Sequence, residues 1–240
     1  MIKPGSDSPR RAAALKGASD TLPMIVGAIP FGLIFGTLAV QGPLASWQGQ
    51  MMSATVFAGS AQFIALGLVA GHTGLLVIWL TTFVVNLRHM LYAATLLPAV
   101  ASLPLRWRLA LGFLLTDETF AVVAARRRLA GDDPHIHWYF LGSGLAMYAS
   151  WNTVTLAGML FGSAFPQLQA LGLEYAIVAT FVAIIVPQLG RLPHLAAAIA
   201  AGTLAYLWQG MPYKLGLLAS VAVGVLVGLA LTRLKRTEAA

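Results

Sequence analysis

The sequence predicts an all-α fold, a polytopic membrane helix bundle of about eight transmembrane helices. Composition, the spacing of apolar blocks and the placement of charges all point to it. Of 240 residues, 58% are hydrophobic and 10% charged, whereas a soluble domain carries about 25% charged residues. A water-soluble core could not hide so much apolar surface, and lipid removes the need to. The net charge is +7. Its basic residues gather at the ends of apolar blocks, where they orient helices, so no nucleic-acid partner is expected. The absence of cysteine excludes disulfides, thiolate metal sites and cysteine nucleophiles. The chain has no P-loop, no His-Glu-x-x-His and no nucleophile elbow, so neither an enzyme nor a cofactor or metal is expected.

The apolar blocks run over 21–41, 51–70, 74–98, 109–125, 137–162, 171–190, 193–209 and 213–232. Each is near the length that a bilayer of about 30 Å demands of a helix. The fourth is marginal and carries Asp117 and Glu118. Residues 1–20 lack a signal-type apolar core and read as a cytoplasmic tail, 21–232 as one membrane domain and 233–240 as a second cytoplasmic tail. Eight crossings from a cytoplasmic N-terminus place Lys3, Arg10, Arg11, Lys16, Arg126, Arg127, Arg128, Arg191, Arg233, Lys235 and Arg236 inside. They leave Arg106, Arg108 and Lys214 outside. The bias fits the positive-inside rule. Its weak point is the pair before the fourth block, which leaves room for a re-entrant element between 51 and 125. An echo at a spacing of about 122 residues, as in Gly36 with Gly158 and His72 with His194, suggests two repeated halves, inverted or parallel.

Polar groups inside apolar spans face protein or a water-filled cavity. In the first block, Pro30 removes a helix hydrogen bond, so a break is expected there beside Phe31 and Gly32. Its freed backbone would bind substrate; a packing kink is the alternative. In the second, Gly59, Ser60 and Gln62 end a run of small residues, with Thr55, Gly59 and Gln62 on one face of a continuous helix. Gln62 reads either as glue between helices or as a substrate ligand. In the third, Asn86, Arg88 and His89 make the helix polar on two faces, which predicts a buried or unwound segment near Asn86. Arg88 is too central to reach water, so a buried partner is expected. Asp117 and Glu118 lie at matching depth and about 100° apart, so one should face Arg88 and the other could carry a proton. His135 and His137 read as interfacial anchors beside Trp138 and Tyr139, with metal binding the lesser alternative. Gly224 and Gly228 form a GxxxG packing face in the last block. Pro187 sits in the sixth.

Four segments in order resemble the AzlC family: Gly-Ala-Ile-Pro-Phe-Gly at 27–32, Phe-Ala-Gly-Ser-Ala-Gln-Phe at 57–63, Asn-Leu-Arg-His at 86–89 and Thr-Asp-Glu-Thr-Phe at 116–120. The resemblance implies export of branched-chain amino acids (valine, leucine, isoleucine, sometimes methionine) across the bacterial inner membrane. It also implies a small AzlD-type membrane subunit as partner, and leaves a homo-oligomer open. A zwitterion with an apolar tail needs a few polar groups for its head and an apolar pocket for the rest. Gln62, Asn86, Arg88 and Asp117 could supply the first, and Phe31, Phe57 and Phe63 the second. A passive channel for another small solute and a non-transporting scaffold are the competing readings.

Overall fold

The computed structural model describes residues 9–130, 133–164, 186, 189–211 and 215–237. The sixth block, with Pro187, lies outside them except at 186, 189 and 190. The regular structure among the described residues is helical. The chain divides into two compact units, 1–66 with 82–171 and 67–81 with 172–240.

The first unit is organised by α1 (Pro9–Gln41) and α8 (Ile136–Ala164). These helices are 33 and 29 residues long, and at about 1.5 Å per residue each exceeds a bilayer core. They run parallel: Gly17 lies against Tyr139 and Ser143, Gly36 against Thr155 and Met159, and Gly162 against Thr37. A Cβ on Gly36 or Gly158 would enter the partner helix's backbone, so glycine is what permits the close approach. Hydroxyl and amide groups then bond across the seam. Thr21 meets Ser143 at 2.6 Å, the Thr37 hydroxyl donates to the Gly158 carbonyl at 2.9 Å, and Gln41 donates to Gly162 at 3.2 Å.

This contact explains a departure from the sequence reading. α1 continues through Pro23 and Pro30 without a break, and the Pro30 ring is exposed. Proline removes one hydrogen bond, but α1 is held to α8 on both sides of position 30. Opening the helix there would forfeit that packing.

α2 (Ser46–Thr55) and α3 (Gly59–Ala70) form a hairpin rather than a crossing. α2 starts beside the C-terminal end of α1, with Gly49 against Ala39 and Met159. It descends past Thr155, bonded to Ser53 at 3.0 Å, to Phe57, which packs with Met147 and Trp151. α3 then climbs back. Gly59 lies under the Trp151 ring, Phe63 meets Phe35 edge-on at 5.6 Å, and Leu66 reaches Gly42. The helices have 10 and 12 residues, about half a bilayer each.

α4 (Leu75–Asn86) and α5 (Arg88–Val100) make one rod of 26 residues, long and apolar enough to cross a membrane. Its break is one residue wide, at Leu87, near the expected Asn86. The α5 half descends toward the N-terminal end of α8, where Leu96 packs with Ile136 and Tyr139.

α6 (Leu105–Phe113) and α7 (Asp117–Ala130) form a second hairpin, opposite in sense to the first. Trp107 meets Trp138 at 4.9 Å and His137 at 5.2 Å, near the start of α8. Leu114 reaches Gly144, and α7 returns until Arg126 lies over the Tyr139 ring at 5.5 Å. Arg126 also pairs with Asp133 at 3.1 Å. The His135 N–H, and then Arg126, hold the Asp133 carboxyl below its ordinary range despite partial burial.

Two of the eight blocks therefore turn back instead of crossing. α1 and α8 run parallel, with these two returning hairpins between them. Arg106 and Arg108, misplaced by eight crossings, now join Arg10, Arg11, Lys16, Arg126, Arg127 and Arg128 at one basic end.

The second unit contains α9 (Leu192–Leu207) and α10 (Leu215–Thr237), which pack antiparallel. Gly224 sits against Ala197 and Ala201, and Gly228 against Ala197, so the GxxxG face is used as expected.

Two measurements check this architecture. Gly158→Ala forces a Cβ into the Leu33 backbone and should destabilise by about 1–3 kcal/mol, whereas Gly27→Ala meets open space and should leave the melting temperature in detergent unchanged or higher. Because the chain has no cysteine, single cysteines report sidedness directly. Ser102→Cys should be labelled by an impermeant maleimide only from the side that labels a cysteine at Arg128, and Ala45→Cys only from the other. Eight crossings require Ser102 and Arg128 to face opposite sides.

Candidate functional site: two hairpin tips and a broken rod

The tips of the two hairpins meet. Each has three residues between its helices, Val56-Phe57-Ala58 and Leu114-Leu115-Thr116. Phe57 and Leu114 share a buried cluster with Met147 and Trp151, and Phe31 packs against it. Phe57 lies 6.2 Å from Phe113 and 5.0 Å from Tyr148, ring to ring.

Chain turns inside an apolar layer must satisfy their own backbone groups. At the first tip Phe57 adopts φ 45°, the left-handed region that non-glycine residues seldom occupy. The Tyr148 hydroxyl donates to the Ala54 carbonyl at 2.9 Å, satisfying one of the acceptors that α2 leaves at its end. At the second tip the Thr116 hydroxyl accepts from the Thr119 N–H at 3.3 Å, the geometry of an N-cap. Asp117 and Glu118 occupy the first turn of α7, where carboxylates complement the helix dipole.

The break between α2 and α3 separates Thr55 from Gly59 and Gln62, so the three do not share one helix face. Thr55 is exposed and bonds its own helix at Met51. Gln62 is fully buried and works as a strut. Its amide donates to Ser53 Oγ at 2.8 Å and accepts from Trp151 Nε1 at 3.0 Å. Ser53 continues the chain to Thr155. This geometry favours glue between helices, the blander of the two alternatives for Gln62. Ser53, Trp151 and Thr155 were missed by the sequence reading. An indole in the middle of the long fifth block was the signal that could have found them.

The charged part of the site lies at the broken rod. Arg88 Nη2 pairs with Asp117 Oδ2 at 2.9 Å, the side chains being 27% and 45% exposed. The other oxygen of Asp117 accepts from the Tyr92 hydroxyl at 2.6 Å. Tyr92 stacks on Phe120 at 4.4 Å, which fixes the phenol. His89 meets the Tyr92 ring edge-on, and its Nδ1 lies 3.2 Å from the Asn86 carbonyl. Asp117 is thus the carboxylate that faces Arg88. Glu118, half-buried, turns toward the Thr116 hydroxyl.

The structure sorts the other sequence candidates. Gly32 packs on Val154 and Trp151, and Gly59 under Trp151; both are close-approach positions beside the tips. Pro30 points away. The buried Ser60 Oγ, Asn86 Oδ1 and Arg88 Nε have no hydrogen-bond partner, which leaves polar capacity unused around the breaks.

The comparison with protein families matches the AzlC protein family over residues 23–165. The chain belongs to the AzlC family. The matched region begins within α1 and ends just after α8, so it contains both hairpins and the broken rod. The inner membrane protein YgaZ of Escherichia coli K12 is 26% identical over 198 residues, covering 80% of each chain. An uncharacterized membrane protein of Archaeoglobus fulgidus is 29% identical over 88% of this chain and 92% of its own. The Bacillus subtilis branched-chain amino acid transport protein AzlC is 25% identical over 70% of this chain and 65% of its own. No solved structure matches this AzlC-family chain.

The strut makes a direct prediction. Gln62→Leu strands the Trp151 N–H in a buried site and takes the donor from Ser53 Oγ, which keeps its bond to Thr155, and should cost about 1–3 kcal/mol. Trp151→Phe leaves only the Gln62 carbonyl oxygen stranded and should cost less. Thermal unfolding of the purified variants, followed by tryptophan-independent light scattering, orders them.

Proposed function

We propose that this AzlC-family membrane protein exports branched-chain amino acids, as the large subunit of a two-component secondary transporter with a small AzlD-type partner. The observation that carries the transport reading is the pair of half-membrane hairpins, from opposite ends, meeting beside a charged pair at mid-depth. Such discontinuous elements suit a solute site, because they bring backbone ends and charges toward the centre of the membrane. The name of the Bacillus subtilis relative supports the substrate class. The basic end, by the positive-inside rule, is the cytoplasmic one, and the cell membrane is the site of action.

In this reading the residues at the breaks, Ser60, Asn86, Arg88, His89 and Asp117, serve the polar head of the substrate. Phe31, Gly32 and Gly59 shape the wall beside it, and Gln62 holds that wall in place. Glu118, close to Asp117 but turned from Arg88, is the proton carrier that would couple flux to the proton gradient. Amide substitution there should remove any pH dependence of transport.

The test is movement of labelled valine in inverted vesicles, with this chain alone, with the small partner and with an uncoupler. Accumulation that needs the partner and collapses with the uncoupler is the expected result. Flux that only dissipates a gradient would replace the carrier by a channel. No flux of valine, leucine, isoleucine or methionine in any combination would remove the substrate assignment.

A further inference from the structure

The bond between Arg88 and Asp117 fills only part of what each group offers. A guanidinium presents Nε–H and one Nη–H along a single edge, spaced to grip both oxygens of a carboxylate. Asp117 lies against Nη2 with one oxygen, and its second oxygen accepts from Tyr92. Arg88 Nε is left buried without a partner. The pair is therefore one-pronged where a two-pronged pair is chemically available. Tyr92 occupies the oxygen that a second prong would use, and it stacks on Phe120.

An acceptor is unused close by in the chain. Asn86 Oδ1, two residues before Arg88 at the same break, is buried without a donor. A free donor on Arg88 and a free acceptor on Asn86 therefore lie at the break that carries a partly open ion pair. A ligand that displaces the pair and fills both atoms must carry an anionic group for Arg88 and a cationic donor for Asp117 and Asn86 Oδ1. That is the head of an α-amino acid.

We infer that the Arg88–Asp117 pair is an exchangeable lock, which a zwitterionic amino acid opens by taking both partners. Its carboxylate grips the Nε–Nη2 edge of Arg88, and its ammonium takes the Asp117 oxygen that Arg88 releases together with Asn86 Oδ1. Two ion pairs replace one, so net charge in the membrane centre does not change and no charge is left unpaired. A ligand with only one of the two charges would break the lock and strand the other partner, which is costly where water is scarce. The consequence is a requirement for both charges, independent of side-chain fit. It also couples occupancy to shape: the lock joins the rod to the tip of the second hairpin, and the ligand unlinks them.

This inference rests on the amino-acid reading above. The experiment is competition against labelled L-leucine on the full chain purified together with the small partner in nanodiscs. The competitors are unlabelled leucine, 4-methylpentanoate (carboxylate only) and 3-methylbutylamine (ammonium only). Each single-charge analogue should compete about 30-fold or more weakly than leucine, the equivalent of about 2 kcal/mol. Arg88→Lys, which keeps the charge but loses the two-pronged edge, should weaken leucine binding about tenfold, and Asp117→Asn by more. Equal competition by either analogue, or unchanged leucine binding in Arg88→Lys, would overturn the lock while leaving amino-acid transport standing. Failure of the unmodified chain to bind leucine would overturn both. The analogue series needs no variant, so a substitution that prevents folding does not blunt the test.

Discussion

The first unit depends on the glycine-lined contact between α1 and α8. A helix that stops halfway through a bilayer exposes carbonyls or amides where no water can meet them. It survives only against a protein wall that supplies partners. α8 is that wall for the first hairpin, through Tyr148 to the end of α2 and through Trp151 and Thr155 to Gln62 and Ser53. It also receives the second, with Gly144 giving room for Leu114 and Tyr139 lying under Arg126. None of these partners would be in register if α1 and α8 stood apart by the width of ordinary side chains.

The parallel course of α1 and α8 constrains the connection between them. Two helices pointing the same way across a membrane need an odd number of crossings in between. Two hairpins that each turn back add nothing to that number. The basic residues agree independently: those at the start of α1, at the start of α6 and at the end of α7 all fall at one end. Residues about 122 apart lie side by side along the seam, as Thr21 and Ser143 do. This is the spacing of the echo in the sequence, and an even number of crossings per repeat would make such halves parallel.

Hydropathy made the membrane, the helices and most of the block positions legible, because it counts apolar residues over a bilayer's width. It could not tell a crossing from a hairpin. Both need about the same number of apolar residues, and they differ only in chain direction at the midpoint. The misplaced Arg106 and Arg108 were the one sequence signal that a block turned back. Breaks were legible where charge marked them, at Asn86 to Arg88, and illegible where proline did. Pro30 is held straight by its neighbours, while the first hairpin bends at a phenylalanine. That Arg88 would meet one of Asp117 and Glu118 was readable from depth alone, and which of them was not. The role of Gln62 was not, since a buried amide serves substrate or scaffold equally well and only its partners decide.

The two tips differ in a way that bears on mechanism. The first is fastened to α8 by a closed chain of buried hydrogen bonds, from Trp151 through Gln62 and Ser53 to Thr155. Breaking any link strands a polar atom in an apolar place. The second is fastened at its centre by Asp117, whose partners on the rod are a partly exposed guanidinium and a phenol. An incoming charged group can replace such partners, whereas nothing in an apolar solute can replace the links of the first chain. The first hairpin with α1 and α8 therefore forms the fixed frame, and the junction between the rod and the second hairpin is where a ligand can do work on the structure.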